Sequence, residues 1–383
     1  MKRLATLLMT LAPFAAAAQT QGVTKDEIVV GTIQDLSGPL AALGTHFRNS
    51  LQLRFDEVNA EGGIHGRKIR LVAEDSGYDP KKGVLAAQKL IQRDKVFAAV
   101  SNLGSAVVLA TMPLFLERKV PHLFPATAHP SAYEPLHKYK FQNLPSYAIQ
   151  IEKAAPSLIK QHGYKKVGIL YQDDDFGYDV LAGTETALKS LNMTMCGKAT
   201  YKRGATDFSS QVATLKGNGC DFVILGTVLR ETVGVMAEAR KTGWDVPMLV
   251  QAAGYSAQVP ALGGKATEGL YGTPLTPHPY PDAANAKLNA WIAAYKQKFN
   301  VDPNAYTAIG YAQADLFVMA ARKAGPNLTA DSFAEALETL VREPDFLGSP
   351  RFKFSKTDHL GSRQTRLAQI RNGRWENITD YID

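Results

Sequence analysis

Long apolar runs are missing from this sequence: the stretch near its start, Leu4 to Phe14, falls well short of the roughly 20 residues that a membrane-crossing helix needs. No longer one follows. Cysteine is scarce, with two residues in 383. There is no Cys-x-x-Cys pair and the eight histidines are scattered, so no ligand set for zinc stands at the usual spacing. His122 and His129 flank an apolar segment and read as turn or wall residues. Also missing are the G-x-S-x-G elbow, the H-E-x-x-H pair and the phosphate-binding P-loop, the sequence marks of several large enzyme classes. The carboxylate run Asp173-Asp174-Asp175 lacks the spacing of a calcium loop. No catalytic residue, cofactor or metal is expected. An enzyme would have to assemble its base and nucleophile from distant loops.

Charge of one sign is not concentrated either. The formal charge is +7, of which Lys2 and Arg3 supply two, and the clusters Arg67-Lys68-Ile69-Arg70 and Tyr201-Lys202-Arg203 read as solvated turns and strand ends. Nucleic-acid binders gather their basic residues on one face, so no nucleic acid is expected as partner. With 45% hydrophobic and 21% charged residues and no low-complexity tract, the composition is that of an ordinary globular protein.

What is present begins with a leader. Lys2 and Arg3 are followed by the apolar stretch and by the small residues Ala15 to Ala18, the pattern of a secretory signal peptide over residues 1–18, cleaved near Ala18. No cysteine follows for a lipid anchor, so a freely diffusing periplasmic protein is expected, monomeric by default. In that oxidising compartment Cys196 and Cys220 are a possible disulfide, and equally two half-buried free thiols. About 360 mature residues exceed one core, which stops growing at roughly 250–300, so two domains are expected.

The body of the chain alternates β-branched runs with amphipathic helices, the pattern of parallel sheets with helical crossovers. Ile28 to Ile33 reads as a strand, about 42–59 as a helix ending at Gly62-Gly63, and Ile69 to Ala73 as a strand. Asp79-Pro80 supplies a cap and first-turn proline for a helix carrying Val84, Ala87 and Ile91, and Val96 to Val100 is the next strand. The order restarts at Lys166 to Tyr171: helix 177–190, strand Met193 to Tyr201, a helix capped by Asp207, strand Phe222 to Leu225. One supersecondary unit used twice implies two lobes of like topology. Helices at about 282–299 and 305–323 look like additions to an existing lobe. Asn372-Gly373 marks a terminal hairpin that must join a sheet edge upstream.

In open α/β sheets a ligand lies beyond the carboxyl ends of the strands. That rule selects Leu36 and Ser37, then Leu103, Gly104 and Ser105, then Ala126, Thr127 and Ala128 with His129, in the first half. In the second half it selects Phe176, Val228 and Arg230, and Ala253 and Tyr255. Ser105 opens a helix, where unpaired N–H groups and the dipole favour a carboxylate; as an alternative it is merely a cap. Tyr147, Phe176 and Tyr255 are candidate walls for an apolar or aromatic ligand body, or ordinary core. Arg230 is a candidate anion clamp, or the surface partner of Glu231 or Glu238.

Over nearly all of the mature chain the sequence resembles the periplasmic binding proteins of ABC importers, in the branched-chain amino-acid (leucine/isoleucine/valine) branch. The resemblance is carried by Asp35-Leu36-Ser37-Gly38-Pro39, by Val58 to Lys68, by Glu74-Asp75 through Tyr78-Asp79-Pro80, by Gly104-Ser105 and by Tyr171 to Gly177. It implies a type I periplasmic binding fold: two doubly wound parallel-sheet lobes joined by a three-crossing hinge. The crossings are expected near Asn143–Pro145, Gly272–Thr276 and Ser349–Phe352. They give a first lobe of 24–144 and 277–348 and a second of 145–276 and 349–383. It further implies hinge closure on a small ligand and delivery to an inner-membrane ABC permease, or in a variant output to a chemoreceptor or sensor kinase. The serine matching Ser105 binds the ligand carboxylate in this family, and the loop matching Thr127 holds the amine. Where amino-acid binders carry two tyrosines and a glutamate, this chain aligns Phe176, Val228 and Ala253. An ammonium buried without a carboxylate is costly, so a carboxylate-bearing solute with an apolar or aromatic body is expected, with branched-chain amino acids as the alternative.

Overall fold

The computed structural model describes residues 20–282 and 284–383; the leader read at 1–18 lies outside the described residues. The first half builds β1 (Glu27–Gln34), α1 (Ala41–Ala60), β2 (Lys68–Asp75), α2 (Pro80–Gln92), β3 (Ala98–Val100), α3 (Ser105–Glu117), β4 (His122–Leu123) and β5 (Lys140–Phe141). These strands form one parallel sheet in the order β2-β1-β3-β4-β5. The order reverses at β1, and that switch point opens a crevice at the strands' carboxyl ends.

A second sheet repeats the plan. After α4 (Tyr147–His162) come β6 (Val167–Gln172), α5 (Asp175–Ser190), β7 (Gly197–Tyr201), α6 (Ser209–Gly217), β8 (Phe222–Gly226), α7 (Leu229–Lys241), β9 (Met248–Val250), α8 (Gln258–Gly263) and β10 (Tyr271–Gly272). The parallel part runs β7-β6-β8-β9-β10, the same order as the first sheet. The protein is thus two doubly wound α/β lobes. Local chemistry accounts for the helix starts. The Asp79 side chain caps α2 ahead of Pro80 at 2.7 Å from Lys81 N–H, while Asp174 caps α5. Before α6 the cap residue is Phe208, and Asp207 instead takes the Ser209 N–H at 2.9 Å, one residue off the expected cap.

The last third holds α9 (Ala286–Phe299), α10 (Ala305–Ala324), α11 (Ala330–Leu337), β11 (Val341–Arg342), β12 (Phe352–Lys353), β13 (Ala368–Arg371) and β14 (Arg374–Asn377). α10 packs along α1, and Ala312, Leu316, Phe317 and Ala320 fill the first lobe's core with Phe55 and Phe97. Arg54 and Arg342 both bond Asp315 of α10, at 3.0 and 2.9 Å, and Arg342 also reaches Asp345 at 2.5 Å. Removing one partner from such a buried network strands a charge, at a cost of about 3–5 kcal/mol. Asn372 and Gly373 both have positive φ, 52° and 71°, which makes the tight β13–β14 turn. The hairpin extends the second sheet antiparallel from β10.

Cys196 and Cys220 are joined in a disulfide with Cα atoms 5.9 Å apart. They stand where β7 begins and just before β8, over Gly168 of β6, whose absent Cβ would lie 2.9 Å from the Cys220 sulfur. The bridge therefore staples three strands at their amino ends, away from the crevice. Its loop spans 24 residues, which corresponds to about 3 kcal/mol by loop entropy. Full reduction, or Cys196→Ser with Cys220→Ser, is expected to lower the melting temperature by several degrees in a calorimetric scan. Ligand affinity, read at the opposite end of the sheet, should stay unchanged.

Candidate functional site

Between the lobes lies a cavity with about 550 Å³ of empty space out to its mouth. Its first-lobe wall is made by Leu40 at the cap of α1 and Leu43 and Phe47 on it, by Leu103 and Ala126 on strand-end loops, and by Tyr306 and Ile309 of α10. Phe176, Val228, Ala252 and Ala253 of the second lobe face them, and Leu144 and Leu275 close the sides. No lining residue carries a formal charge.

The polar end is the start of α3. Gly104 has φ +92° and a Cβ there would stand 2.5 Å from Cε2 of Tyr78, so both the backbone and the Tyr78 ring demand glycine. Gly104 brings no side-chain cap. The first helical bond is from Val108 N–H to the Gly104 carbonyl at 2.8 Å, and the N–H groups of Ser105, Ala106 and Val107 find no acceptor among the described residues. Ser105 Oγ lies 2.6 Å from Thr127 Oγ1. The Thr127 side chain also bonds the Tyr147 hydroxyl, which accepts the Ala128 N–H. Burial pushes this phenol up to about 12, partly offset by those two bonds, so it is neutral and able to donate. The result is a chain of three hydroxyls beside an uncapped helix start, a place where a carboxylate gains hydrogen bonds and dipole stabilisation.

The apolar body of the cleft is equally ordered. Phe176 meets Tyr147 edge to face at 4.9 Å. Tyr306 O–H donates to the Ala253 carbonyl at 2.7 Å and so ties α10 to the second lobe. A second tie closes the seam at Tyr78: the Arg203 guanidinium stacks over its ring at 4.6 Å, donates to its carbonyl at 2.9 Å, and pairs with Asp174 at 2.8 Å. The carboxylate run thus has structural partners, with Asp173 bonded to Lys202 and Tyr178. No group of residues suited to a metal occurs among the described residues. His122 is buried against Asn102 and His129 takes the Ser131 N–H.

Of the residues selected from sequence, Leu103, Gly104, Ser105, Ala126, Thr127, Ala128, Tyr147, Phe176, Val228 and Ala253 all line the cavity. Four do not. Leu36 and Ser37 turn away because Asp75 of the neighbouring strand takes the Leu36 N–H at 2.8 Å and the Ser37 hydroxyl at 2.5 Å. Tyr255 follows a one-turn 3-10 helix, Ala252–Gly254, that swings it into the second lobe. There it packs on Trp375 of the terminal hairpin at 4.6 Å and its hydroxyl accepts the His278 N–H. Arg230 is exposed and lines a separate outer groove; it has no ion pair among the described residues, and Glu238 is held by Lys241 instead. The strand-end rule passed over Leu40, Leu43, Phe47, Tyr78, Leu144, Leu275, Tyr306 and Ile309. These arrive on helix faces, on the β2–α2 loop and on segments leaving the sheets. Tyr78 stood in a quoted motif, and its positive φ of 59° marks it as a constrained position.

A family profile described as "Periplasmic binding protein" matches residues 27–374. The chain belongs to the periplasmic binding protein family. Among curated proteins it is similar to Leu/Ile/Val-binding protein homolog 8 of Brucella abortus (strain 2308), with 27% identity over 364 residues, 92% of this chain and 89% of that one. Among solved structures it is similar to a fatty acid ABC transporter substrate-binding protein from Thermomonospora curvata, at TM-score 0.85 and 26% identity, covering 95% and 94% of the two chains. A leucine-binding protein from Thermotoga maritima, at TM-score 0.81 and 22% identity over 93% and 99%, shares the fold. The homologues are solute-binding proteins of ABC transporters rather than enzymes, and the family implies a periplasmic location.

Two outcomes follow from this geometry. Arg203→Ala removes the larger part of the Tyr78 tie, leaving the Gln172 bond, at a residue that does not itself line the cavity. Because apparent affinity falls with the fraction of closed protein, it should weaken binding about tenfold by calorimetry and enlarge the ligand-free radius of gyration in X-ray scattering. Asp179 of α5 is buried under Tyr147 and Ala148; burial raises its carboxyl to about 7, against the opposing backbone bonds from Ala148 and Tyr147. A raised folded-state value means stability that is full below the ordinary 3.8 and lost as pH rises through 7. Asp179→Asn keeps an acceptor oxygen and removes this titration. Its melting temperature should therefore gain on the wild type steadily from pH 4 to pH 8.

Proposed function

We propose that this periplasmic binding protein captures a small organic acid, one carboxylate on an apolar or aromatic body without an α-ammonium, and passes it to an inner-membrane ABC permease. The observation that carries the reading is the lining itself: apolar walls, the Ser105–Thr127–Tyr147 hydroxyl chain beside an uncapped helix start, and no carboxylate among the lining residues. A carboxylate can be held there by neutral donors and the helix dipole, each charge-assisted hydrogen bond being worth about 1.5–3 kcal/mol. An ammonium in the same chamber would have no counter-charge and would lose its hydration.

In this reading Ser105 and Thr127 donate to the acid, the Tyr147 hydroxyl and the open α3 amides complete the cradle, and Phe176, Val228 and Ala253 cover the body from the second lobe. By the resemblance, Phe176 aligns with a tyrosine of amino-acid binders and Ala253 with the glutamate that faces the ammonium there, so in this reading the second lobe offers shape without charge. The name of the Thermomonospora curvata protein supports an apolar acid. That of the Brucella homologue supports the amino-acid alternative, against which the lining speaks.

A thermal-shift and calorimetry panel of hexanoate, benzoate, benzamide and leucine tests this. Hexanoate or benzoate at 100 times its dissociation constant should add about 2.7 kcal/mol of stability, while benzamide and leucine should add little. Thr127→Val, isosteric but without the donor, should weaken acid binding about tenfold or more. Selective stabilisation by leucine would overturn the proposal.

A further inference from the structure

Outside the cavity, on the seam between the lobes, lies a groove with about 630 Å³ of empty space. It is lined from α1 by Pro39, Ala42 and Leu43 and from the second lobe by Leu229, Arg230 and Leu262, among others. Three features tie it to the cavity. Leu43 lines both spaces. On the α1 side Leu40 faces the cavity while its neighbour Pro39 faces the groove; at the start of α7 Val228 faces the cavity while Leu229 faces the groove. Both rims therefore run continuously from inner to outer space. Third, Leu262 is 66% exposed beside the groove, although nothing in the fold requires an exposed leucine there.

We propose that the binding site has two parts: an inner chamber for the carboxylate and first portion of the ligand, and this outer groove for the far end of an elongated apolar acid, with Leu43 as the residue between them. The proposal rests on the acid reading of the inner chamber. Leu43 is almost fully buried in the first turn of α1 and borders both spaces, so in this proposal a change of its rotamer joins them. An acid that ends inside the chamber leaves Leu43 where it is; a longer one must displace it and then lies against Pro39, Leu229 and Leu262. Each methylene moved from water onto such a wall multiplies affinity about fourfold. Arg230 and Gln258 are the polar groups of the groove and stand where the tip of such a chain emerges, so a terminal polar or anionic group meets a cation with no ion pair among the described residues.

The test uses the full mature protein with hexanoate, dodecanoate and dodecanedioate in titration calorimetry. Dodecanoate is expected to bind at least tenfold more tightly than hexanoate. Ala261→Trp fills the groove from its solvent side, at a residue that does not line the inner cavity. It should abolish that advantage and leave hexanoate unchanged. Dodecanedioate should bind more tightly than dodecanoate, and Arg230→Gln should remove that difference alone. Equal affinity for hexanoate and dodecanoate in the unmodified protein, or a chain-length advantage that survives Ala261→Trp, would overturn the two-part site while the acid reading stands. Absence of heat with every acid would overturn the acid reading and this one with it.

Discussion

A hydrogen bond 2.6 Å long between Ser105 and Thr127 fixes the relation between the start of α3 and the loop after β4, and the cleft is arranged around it. Both residues lie at carboxyl ends of neighbouring strands, β3 and β4, because a doubly wound sheet delivers its loops to one edge. With Gly104 too small to cap the helix and Tyr78 pressed on it, the first amides of α3 must find their acceptor outside the helix. A site that leaves backbone donors open in an apolar chamber is selective by desolvation. It favours a guest that brings acceptors and penalises one that brings further donors.

Closure and chemistry are coupled through the same few side chains. Tyr78 covers the Gly104 turn in the first lobe and is held across the seam by Arg203 and Gln172 of the second. Tyr147 extends the hydroxyl chain and at the same time begins α4, whose first amides rest on Asp179 of α5. In the proposed function, aligning the polar cradle and bringing the lobes together are one event, and a ligand that satisfies the cradle favours the closed form by differential contact.

Much of this was legible in the sequence where a short-range rule applied. Asp79-Pro80 announced α2 because cap and fixed φ act within four residues. Asn372-Gly373 announced the hairpin because both positions need positive φ. The repeated strand–helix–strand unit announced two like sheets because periodicity survives without knowing what packs on what. Nine of the residues chosen by the strand-end rule reached the cavity for the same reason. The rule failed where a side chain's direction depends on a distant partner. Ser37 is turned outward by Asp75, 38 residues on, and Tyr255 is drawn inward by Trp375, 120 residues on. Tyr306 and Ile309 were invisible because they sit on a helix that the chain adds to the first lobe only after completing most of the second.

The distribution of charge across the molecule obeys the same desolvation constraint. Where the fold takes charges inside, it gives them partners of opposite sign, as Arg342 shows with Asp315 and Asp345, or draws them toward the neutral form, as burial does by raising the Asp179 carboxyl. The ligand chamber follows neither course and excludes ionisable acids and bases apart from its tyrosines, all of which burial holds neutral. A chamber with a fixed carboxylate would carry an unpaired charge whenever empty, and would have to stay open to water to tolerate it. One lined by hydroxyls and open amides has no such constraint, so its lobes can approach without a ligand and be held by the Arg203 tie. In the proposed function the guest's carboxylate supplies the one charge in the site, and the open amides of α3 set its position.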